Sequence, residues 1–108
     1  MSLSTHVLNA MTGRPASGVA VRLESWAGAD WAVAAEGSTD ADGRIGDLGS
    51  PAAGRHRITF DTGGYFAALA VASFYPEVSV VFEVTEPDRH HHVPLLLSPF
   101  GYTTYRGS

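Results

Sequence analysis

Five histidines are the side chains of this 108-residue sequence best suited to moving protons, because imidazole titrates near neutral pH without any perturbation. Three of them are consecutive, His90 to His92, and His6 lies near the other end of the chain. The sequence has no Cys, which excludes thiolate nucleophiles, disulfide frameworks and Cys-ligated zinc. Any chemistry must therefore come from imidazole, guanidinium, hydroxyl or carboxylate groups.

Three interpretations of the histidine run are open. The first is a solvated junction between a turn and a strand, where polar side chains are usually exposed. The second is a metal site, since His90 and His92 are spaced to project from one face of a strand, although no third ligand is evident. The third is general acid–base catalysis, which also needs a group that fixes the imidazole tautomer and a cation where negative charge develops. Composition does not decide among them, and His6 taken singly is a weak functional signal.

Arg44 and the segment 105–108 carry the other groups of interest. Arg44 follows the turn sequence 40–43, whose Asp and Gly residues suit tight turns. Its guanidinium offers a planar donor fork for anions, which gains meaning if it faces the same cleft as the histidines. Residues 105–108, Tyr-Arg-Gly-Ser, bring a cation, a hydroxyl and an α-carboxylate to one place if they pack against the chain. The sequence contains no phosphate loop, dinucleotide fingerprint, nucleophile elbow or metalloprotease helix.

These groups must be positioned by β-strands, because short runs of alternating apolar and polar residues dominate the sequence. Gly, Pro and Asp clusters separate the runs, as is typical of a β-sandwich. Only residues 65–71 have a helix-favouring composition, and Gly63-Gly64 is interpreted as a turn and nothing more. The predicted strands cover 18–26, 31–37, 44–45, 55–61 and 78–85, with further strands around His6 and through residues 91–97.

Strand parity separates the consecutive histidines. Alternation places His91 on the same face as the apolar side chains at 93, 95 and 97, and places His90, His92 and Pro94 on the opposite face. Pro94 cannot donate to a strand ladder, so this strand is expected at a sheet edge or beside a break in the pairing. The sequence therefore displays the His92 imidazole on the side of the strand away from the core.

Length and composition limit the number of domains and the kinds of binding partner. A chain of this length with 44% hydrophobic and 17% charged residues predicts one compact domain over residues 1–108, and the alternation described above makes it all-β. The net charge is −4 and all seven cations are Arg, which argues against a nucleic-acid partner. The longest apolar-leaning run, 65–74, is too short to span about 30 Å of hydrocarbon. With no secretory signal evident, the prediction is a cytoplasmic protein without a membrane partner.

Two long motifs resemble the transthyretin family. The segment from His6 to Val21 is similar to the N-terminal signature of that family, and the segment from Val93 to Thr103 is similar to its C-terminal signature. Residues 40–44, 60–66 and 74–78 resemble its middle blocks in the expected order, so the resemblance covers essentially the whole chain. It implies a two-sheet β-sandwich of about eight strands with one short α-helix. It also implies a homotetramer, a dimer of dimers, with active sites at the interface between dimers.

Three positions separate the two branches of that family, of which one carries thyroid hormone and the other hydrolyses 5-hydroxyisourate. The hydrolases have His where the carriers have Lys in the first signature, and this chain has His6. They have His before the Val-Pro of the second signature, where the carriers have Thr, and this chain has His92. They end on Tyr-Arg-Gly-Ser, which this chain has at 105–108. The resemblance thus implies a hydrolase with the catalytic residues His6, Arg44 and His92, and with further substrate contacts from Tyr105, Arg106 and Ser108.

The resemblance also implies roles for these residues and no metal or organic cofactor. Either His6 or His92 takes a proton from water while the other orients water or substrate, and Arg44 stabilises the oxyanion. Arg106 and the Ser108 carboxylate are expected to shape the pocket and to fix the histidine tautomers. The family usually has an aromatic residue where this chain has His91, and parity predicts an effect on packing or local pH response.

Two other functions remain open at this stage. A carrier of small aromatic ligands would use the same sandwich without turnover, and the pair His6 and His92 argues against it. A structural sandwich module would need neither the histidines nor residues 105–108. Deletion of those four residues distinguishes the module from the hydrolase, because only the hydrolase should lose activity without unfolding.

Overall fold

Alternating side chains place one face of each long strand in a shared core. A computed structural model describes residues 2–108 and contains two sheets and one short helix. The elements in chain order are β1 (Leu3–Asn9), β2 (Arg14–Pro15), β3 (Ala20–Trp26), β4 (Trp31–Ser38), β5 (Arg44–Ile45), β6 (Gly54–Phe60), α1 (Thr62–Ala68), β7 (Val78–Val84), β8 (His91–Ser98) and β9 (Gly101–Thr104). This architecture confirms the predicted all-β sandwich.

The two sheets are built from strands that are distant in sequence. One sheet has the order β2-β1-β8-β9, with β5 also paired to β1, and the other has the order β4-β3-β6-β7. β1 and β8 are parallel, whereas the other strand pairs are antiparallel. The first sheet therefore brings the two ends of the described chain side by side.

The core lies between the inner faces of the two sheets. Each long strand of the first sheet contributes every second residue, as in β1, where Leu3 and Val7 are fully buried. Phe66 anchors α1 to the same cluster. The other large members are Val19, Val21, Leu23, Leu48, Ile58, Phe60, Val78, Val93, Leu95 and Leu97. The predicted parity of the strand containing residues 91–97 is confirmed by the burial of its positions 93, 95 and 97.

The helix begins three residues earlier than predicted, and the interpretation of Gly63-Gly64 as only a turn is wrong. The Asp61 carboxylate accepts a hydrogen bond from the Gly64 backbone N–H and caps the helix at Thr62. A Cβ at Gly64 would overlap that carboxylate, and a Cβ at Gly63 would lie 2.6 Å from the Pro76 carbonyl oxygen. Gly63 is thus required by its packing against the Pro76 backbone, and Gly64 leaves room for the capping carboxylate. These contacts outweigh the poor helix propensity of the two glycines. The helix ends before Ala70, whose φ is 57°.

Pro94 lies beside a break in the pairing of β8 with β9. This is the second of the two predicted positions, since the sequence predicts either a sheet edge or a break. β8 is an interior strand, paired with β1 on one side and with β9 on the other. The ladder to β9 stops at the pair of Leu95 with Thr104, and one isolated bridge joins His92 to Gly107 further along. The Thr104 hydroxyl donates to the Pro94 carbonyl within this gap.

Within residues 2–108, no helix is long and apolar enough to cross a membrane.

Candidate active site

The outer face of the first sheet collects three of the residues singled out by the sequence. Parallel pairing places Ser4 of β1 beside His92 of β8, and His6 beside Pro94. Residues at even positions of β1 are half-buried whereas those at odd positions are buried, so Ser4 and His6 face outward. Paired residues on neighbouring strands point to the same face, and therefore His92 shares the outer face with His6.

β5 adds Arg44 to this face. Arg44 pairs directly with His6, and the next pair, Thr5 with Ile45, points toward the core. The side chain of Arg44 is exposed, and among residues 2–108 the ion pairs involve Arg22, Arg57 and Arg89 only. Its guanidinium donors are therefore not engaged by a carboxylate of the described chain. His6, Arg44 and His92 together present two imidazoles and one guanidinium to a common surface.

The turn before Arg44 is fixed by one carboxylate and one glycine. The Asp40 Oδ1 atom accepts hydrogen bonds from the backbone N–H groups of Asp42 and Arg44. Gly43 is buried with φ 74°, and its carbonyl accepts a hydrogen bond of 2.7 Å from the Val7 N–H. A Cβ at Gly43 would overlap the Val7 carbonyl oxygen. Glycine is thus needed for β5 to approach β1 closely enough to place Arg44 opposite His6.

The His92 ring is held on two of its edges. The Ser4 Oγ atom lies 2.8 Å from His92 Nδ1. On the opposite side, a Cβ at Gly107 would overlap His92 Cδ2, so the glycine backbone packs directly against the ring. The Gly107 N–H donates to the His92 carbonyl at 2.9 Å. These contacts leave the edge of the ring that carries Nε2 for a ligand.

The surroundings of His92 favour its neutral form. Burial lowers the pKa of His92 below the ordinary imidazole value, and electrostatic interactions with His6, His90 and Arg44 lower it further. A hydrogen bond from the His92 ring to the backbone carbonyl of Ser4 raises the pKa but does not reverse the shift. At neutral pH this imidazole therefore has a lone pair available to accept a proton.

Residues 105–108 lie along the other side of His92. Tyr105 and Arg106 are exposed and line a cavity of about 270 Å³, which also touches His92 and the β7 residues Val80 and Phe82. Ser108 is exposed and follows the glycine that packs on the His92 ring. Tyr105 and Arg106 therefore reach His92 from the sandwich edge, whereas His6 and Arg44 lie on the outer face of the sheet.

The remaining histidines differ in their surroundings. His56 is buried, with Nδ1 3.1 Å from Ser25 Oγ and Nε2 2.7 Å from the Ala52 carbonyl oxygen, which is the pattern of a satisfied core residue. His91 lines the cavity between the sheets, in agreement with its predicted parity. His90 is exposed, with Nε2 2.8 Å from Ser4 Oγ. The metal interpretation of His90 and His92 gains no support, since no group of three potential ligands lies together among residues 2–108.

Sequence reasoning missed Ser4, and it included Gly107 in the segment 105–108 without predicting its contact with the His92 ring. The sequence predicts Arg106 and the Ser108 carboxylate as the groups that fix the histidine tautomers, but the side chain that hydrogen-bonds with the His92 ring is the Ser4 hydroxyl. Alternation alone places Ser4 on the face of His6, two residues earlier, and this was the available signal. Its proximity to His92 follows only from the parallel pairing of β1 with β8.

Comparison with known proteins decides the family. A model of the HIUase/Transthyretin family matches residues 3–107. The chain belongs to this family. A family relative from Salmonella typhimurium, named 5-hydroxyisourate hydrolase, is 46% identical over 109 residues, covering 98% of this chain and 80% of the relative. A mouse relative of the same name is 42% identical, with coverage of 98% and 94%.

Solved structures from both branches of the family match this fold. The 5-hydroxyisourate hydrolase of Klebsiella pneumoniae is 36% identical with a TM-score of 0.89, and each chain is covered completely. Sea bream transthyretin in complex with thyroxine is also 36% identical, with a TM-score of 0.93 and coverage of 99% and 95%. Because the backbone fits both, the fold alone does not distinguish hydrolysis from ligand binding.

Proposed function

We propose that this protein hydrolyses 5-hydroxyisourate to 2-oxo-4-hydroxy-4-carboxy-5-ureidoimidazoline in urate degradation. The observation that carries the proposal is the juxtaposition of His6, Arg44 and His92 on one sheet face, with Arg44 opposite His6 in the strand register. The names of the curated relatives support the same substrate. A site of this composition offers a base, a second imidazole and an anion-binding fork.

His92 is the better candidate for the base. Its lowered pKa keeps a lone pair available at neutral pH, and the contact of Nδ1 with Ser4 directs Nε2 outward. His92 Nε2 takes a proton from water as the water oxygen bonds to the carbonyl carbon of the ring amide. His6, on the adjacent strand, orients the water or the substrate.

Arg44 acts on the charge that this attack creates. The carbonyl electron pair moves onto oxygen, and the planar guanidinium fork stabilises the resulting oxyanion. When the carbonyl reforms, the ring C–N bond breaks and the departing nitrogen takes the proton held on His92. The ring opens to a carboxylic acid, which loses its own proton to solvent. Water supplies all the atoms added, so this chemistry requires no oxidant or reductant.

Tyr105, Arg106 and Ser108 complete the substrate pocket beside His92.

The assembly follows from the strand edges. Both sheets end in an unpaired strand on the same side of the sandwich, β7 in one and β9 in the other, and these edges are suited to pairing between copies. We infer a homotetramer built as a dimer of dimers, acting in the cytoplasm as a single domain over residues 1–108.

The test is to generate 5-hydroxyisourate in place from urate with a urate oxidase and to follow its ultraviolet decay. The wild-type protein should accelerate the decay, and His92→Ala should abolish the acceleration while retaining the wild-type circular dichroism spectrum. Decay at the spontaneous rate in the presence of folded wild-type protein would reject the hydrolase. The same fold in the thyroxine complex of sea bream transthyretin would then favour a carrier, tested by thyroxine binding.

A further inference from the structure

A chain of hydrogen-bonding groups runs from His92 to the protein surface. Ser4 Oγ lies 2.8 Å from His92 Nδ1 and 2.8 Å from His90 Nε2, so one hydroxyl bridges two imidazoles. His90 Nδ1 lies 3.1 Å from Ser2 Oγ. His92 is half-buried whereas His90 is exposed, and the chain therefore connects the inside of the site to water.

The bridging hydroxyl couples the protonation of the two rings. A serine hydroxyl has a single proton, so Ser4 can donate to only one of the two nitrogens and must accept from the other. In the first arrangement His92 Nδ1–H donates to Ser4, Ser4 donates to His90 Nε2, and His90 Nδ1–H donates to Ser2. In the second arrangement every donor is reversed. Both arrangements satisfy all the bridging atoms, which is the requirement for a proton relay.

We propose that Ser4 and His90 form a proton relay that exchanges protons between His92 and solvent during the hydrolysis. This inference rests on the proposed function and adds two residues to it. Ser4 and His90 act through His92, so they are positioning and proton-transfer residues and need not touch the substrate. The geometry that carries the proposal is the pair of 2.8 Å contacts to one hydroxyl oxygen.

The proton balance follows from the first arrangement. As water is deprotonated, a proton binds His92 Nε2, the Nδ1 proton passes to Ser4 Oγ, and the Ser4 proton passes to His90 Nε2. The His90 Nδ1 proton then leaves through Ser2 to water. When the ring C–N bond breaks, the Nε2 proton moves to the departing nitrogen and the relay returns one proton to Nδ1. The His92 ring thereby stays neutral in both steps.

The charges around His92 explain why a relay is useful there. Arg44 of β5 pairs with His6 of β1 on this face, and Ser4 bridges His90 to His92. A second proton held on the half-buried His92 ring would face the Arg44 guanidinium in a region of reduced hydration. Passing that proton through the exposed His90 to water relieves this repulsion.

The first experiment measures kcat and KM for Ser4→Ala and His90→Gln in the urate oxidase-coupled assay. Each variant should lower kcat by about 10²-fold, the lower end of the contribution of positioned proton transfer, with KM changed less than about twofold. Ser4→Thr keeps the hydroxyl and should retain most of the activity. Arg89→Gln is the control, since Arg89 precedes His90 in the chain but is exposed and pairs with Glu86 away from the site.

Chemical rescue separates a relay from a merely structural role. Added imidazole should restore the kcat of His90→Gln in a concentration-dependent manner, because His90 is exposed and a buffer molecule can reach Ser4. Added imidazole should not restore the kcat of His92→Ala to the same extent. A wild-type kcat in His90→Gln, or a loss that imidazole does not restore, would overturn the relay.

An NMR measurement keeps the relay testable if the wild-type protein proves inactive. The ¹⁵N chemical shifts of the His92 ring report how the proton is distributed between Nδ1 and Nε2. Ser4→Ala should redistribute it and Arg89→Gln should not. Unchanged His92 shifts in Ser4→Ala would reject the relay, whereas absence of hydrolysis by wild-type protein with the expected NMR change would reject only the proposed substrate.

Discussion

At the scale of single residues, the planarity of the Arg44 side chain should matter more than its charge. Arg44→Lys keeps a cation opposite His6 but loses the donor fork, so kcat should fall by about 10²-fold or more. The coupled decay assay measures this, with Arg55→Lys on the exposed part of β6 as the matched control. Near-normal turnover by Arg44→Lys would remove Arg44 from oxyanion stabilisation.

His92 should also set the acid limb of the pH profile. Burial and the neighbouring cations lower the pKa of His92, so the neutral base persists to pH values below the ordinary imidazole value of about 6.5. The ratio kcat/KM should be flat near pH 7 and fall as the pH drops through the lowered pKa. His6→Gln removes one of the groups that lower the pKa of His92, so the NMR titration of His92 should move toward higher pH. A downward or absent shift would contradict the electrostatic coupling of the two histidines.

At the scale of the elements, the turn before β5 is the part of the site most sensitive to a single methyl group. Gly43→Ala imposes a left-handed backbone on alanine and overlaps the Val7 carbonyl. The free energy of unfolding should fall by about 2 kcal/mol or more, which lowers Tm by roughly 10 °C in a domain of this size. Urea denaturation measures the first quantity. Gly46→Ala, which has no atom within 4 Å of the added Cβ, is the control and should leave stability nearly unchanged.

The contact of Gly107 with His92 predicts a loss of activity without a loss of fold. Gly107→Ala forces the His92 ring or the segment 105–108 to move, because the added Cβ would overlap His92 Cδ2. A displacement of about 1 Å at a catalytic group can cost about 10²-fold in rate. Gly101→Ala, whose nearest contact is Ser98 Oγ at 3.5 Å, should be close to wild type. Equal activities of the two variants would show that Gly107 does not position His92.

The sequence determined which side chains face the core but not which strands are neighbours. Alternation predicted β3, β4, β6 and β7 to within two residues at each end, because burial of one strand face imposes a period of two. It also predicted the face of His92. It could not predict that Ser4 lies beside His92, since that pair is 88 residues apart and depends on a parallel strand pairing. The helix begins three residues before its predicted start, because the Asp61 cap and close backbone packing outweigh the weak helix propensity of Gly63 and Gly64.

At the scale of the whole molecule, the open edges of β7 and β9 predict self-association. Sedimentation equilibrium should give a mass near four times the 11.4 kDa of one chain, with a dimer as the intermediate on dilution. If residues of the site lie at the interface between dimers, kcat should fall as the tetramer dissociates. A monomer with full activity would contradict both the assembly and the placement of the site.

The parallel pairing of β1 with β8 has a consequence for how the protein becomes active during synthesis. At typical rates of roughly 5–20 residues per second, the ribosome adds His92 about 4–18 s after Ser4, its partner 88 residues earlier. Until then β1 lacks its partner strand β8. Because the pairing of β1 with β8 closes a long loop of the chain, it is expected to form slowly and late in folding. Catalytic competence should therefore lag behind the formation of the β3-β4 hairpin, whose strands are adjacent in the chain. The nascent chain is thus expected to have no activity until β8 has been synthesised and has paired with β1.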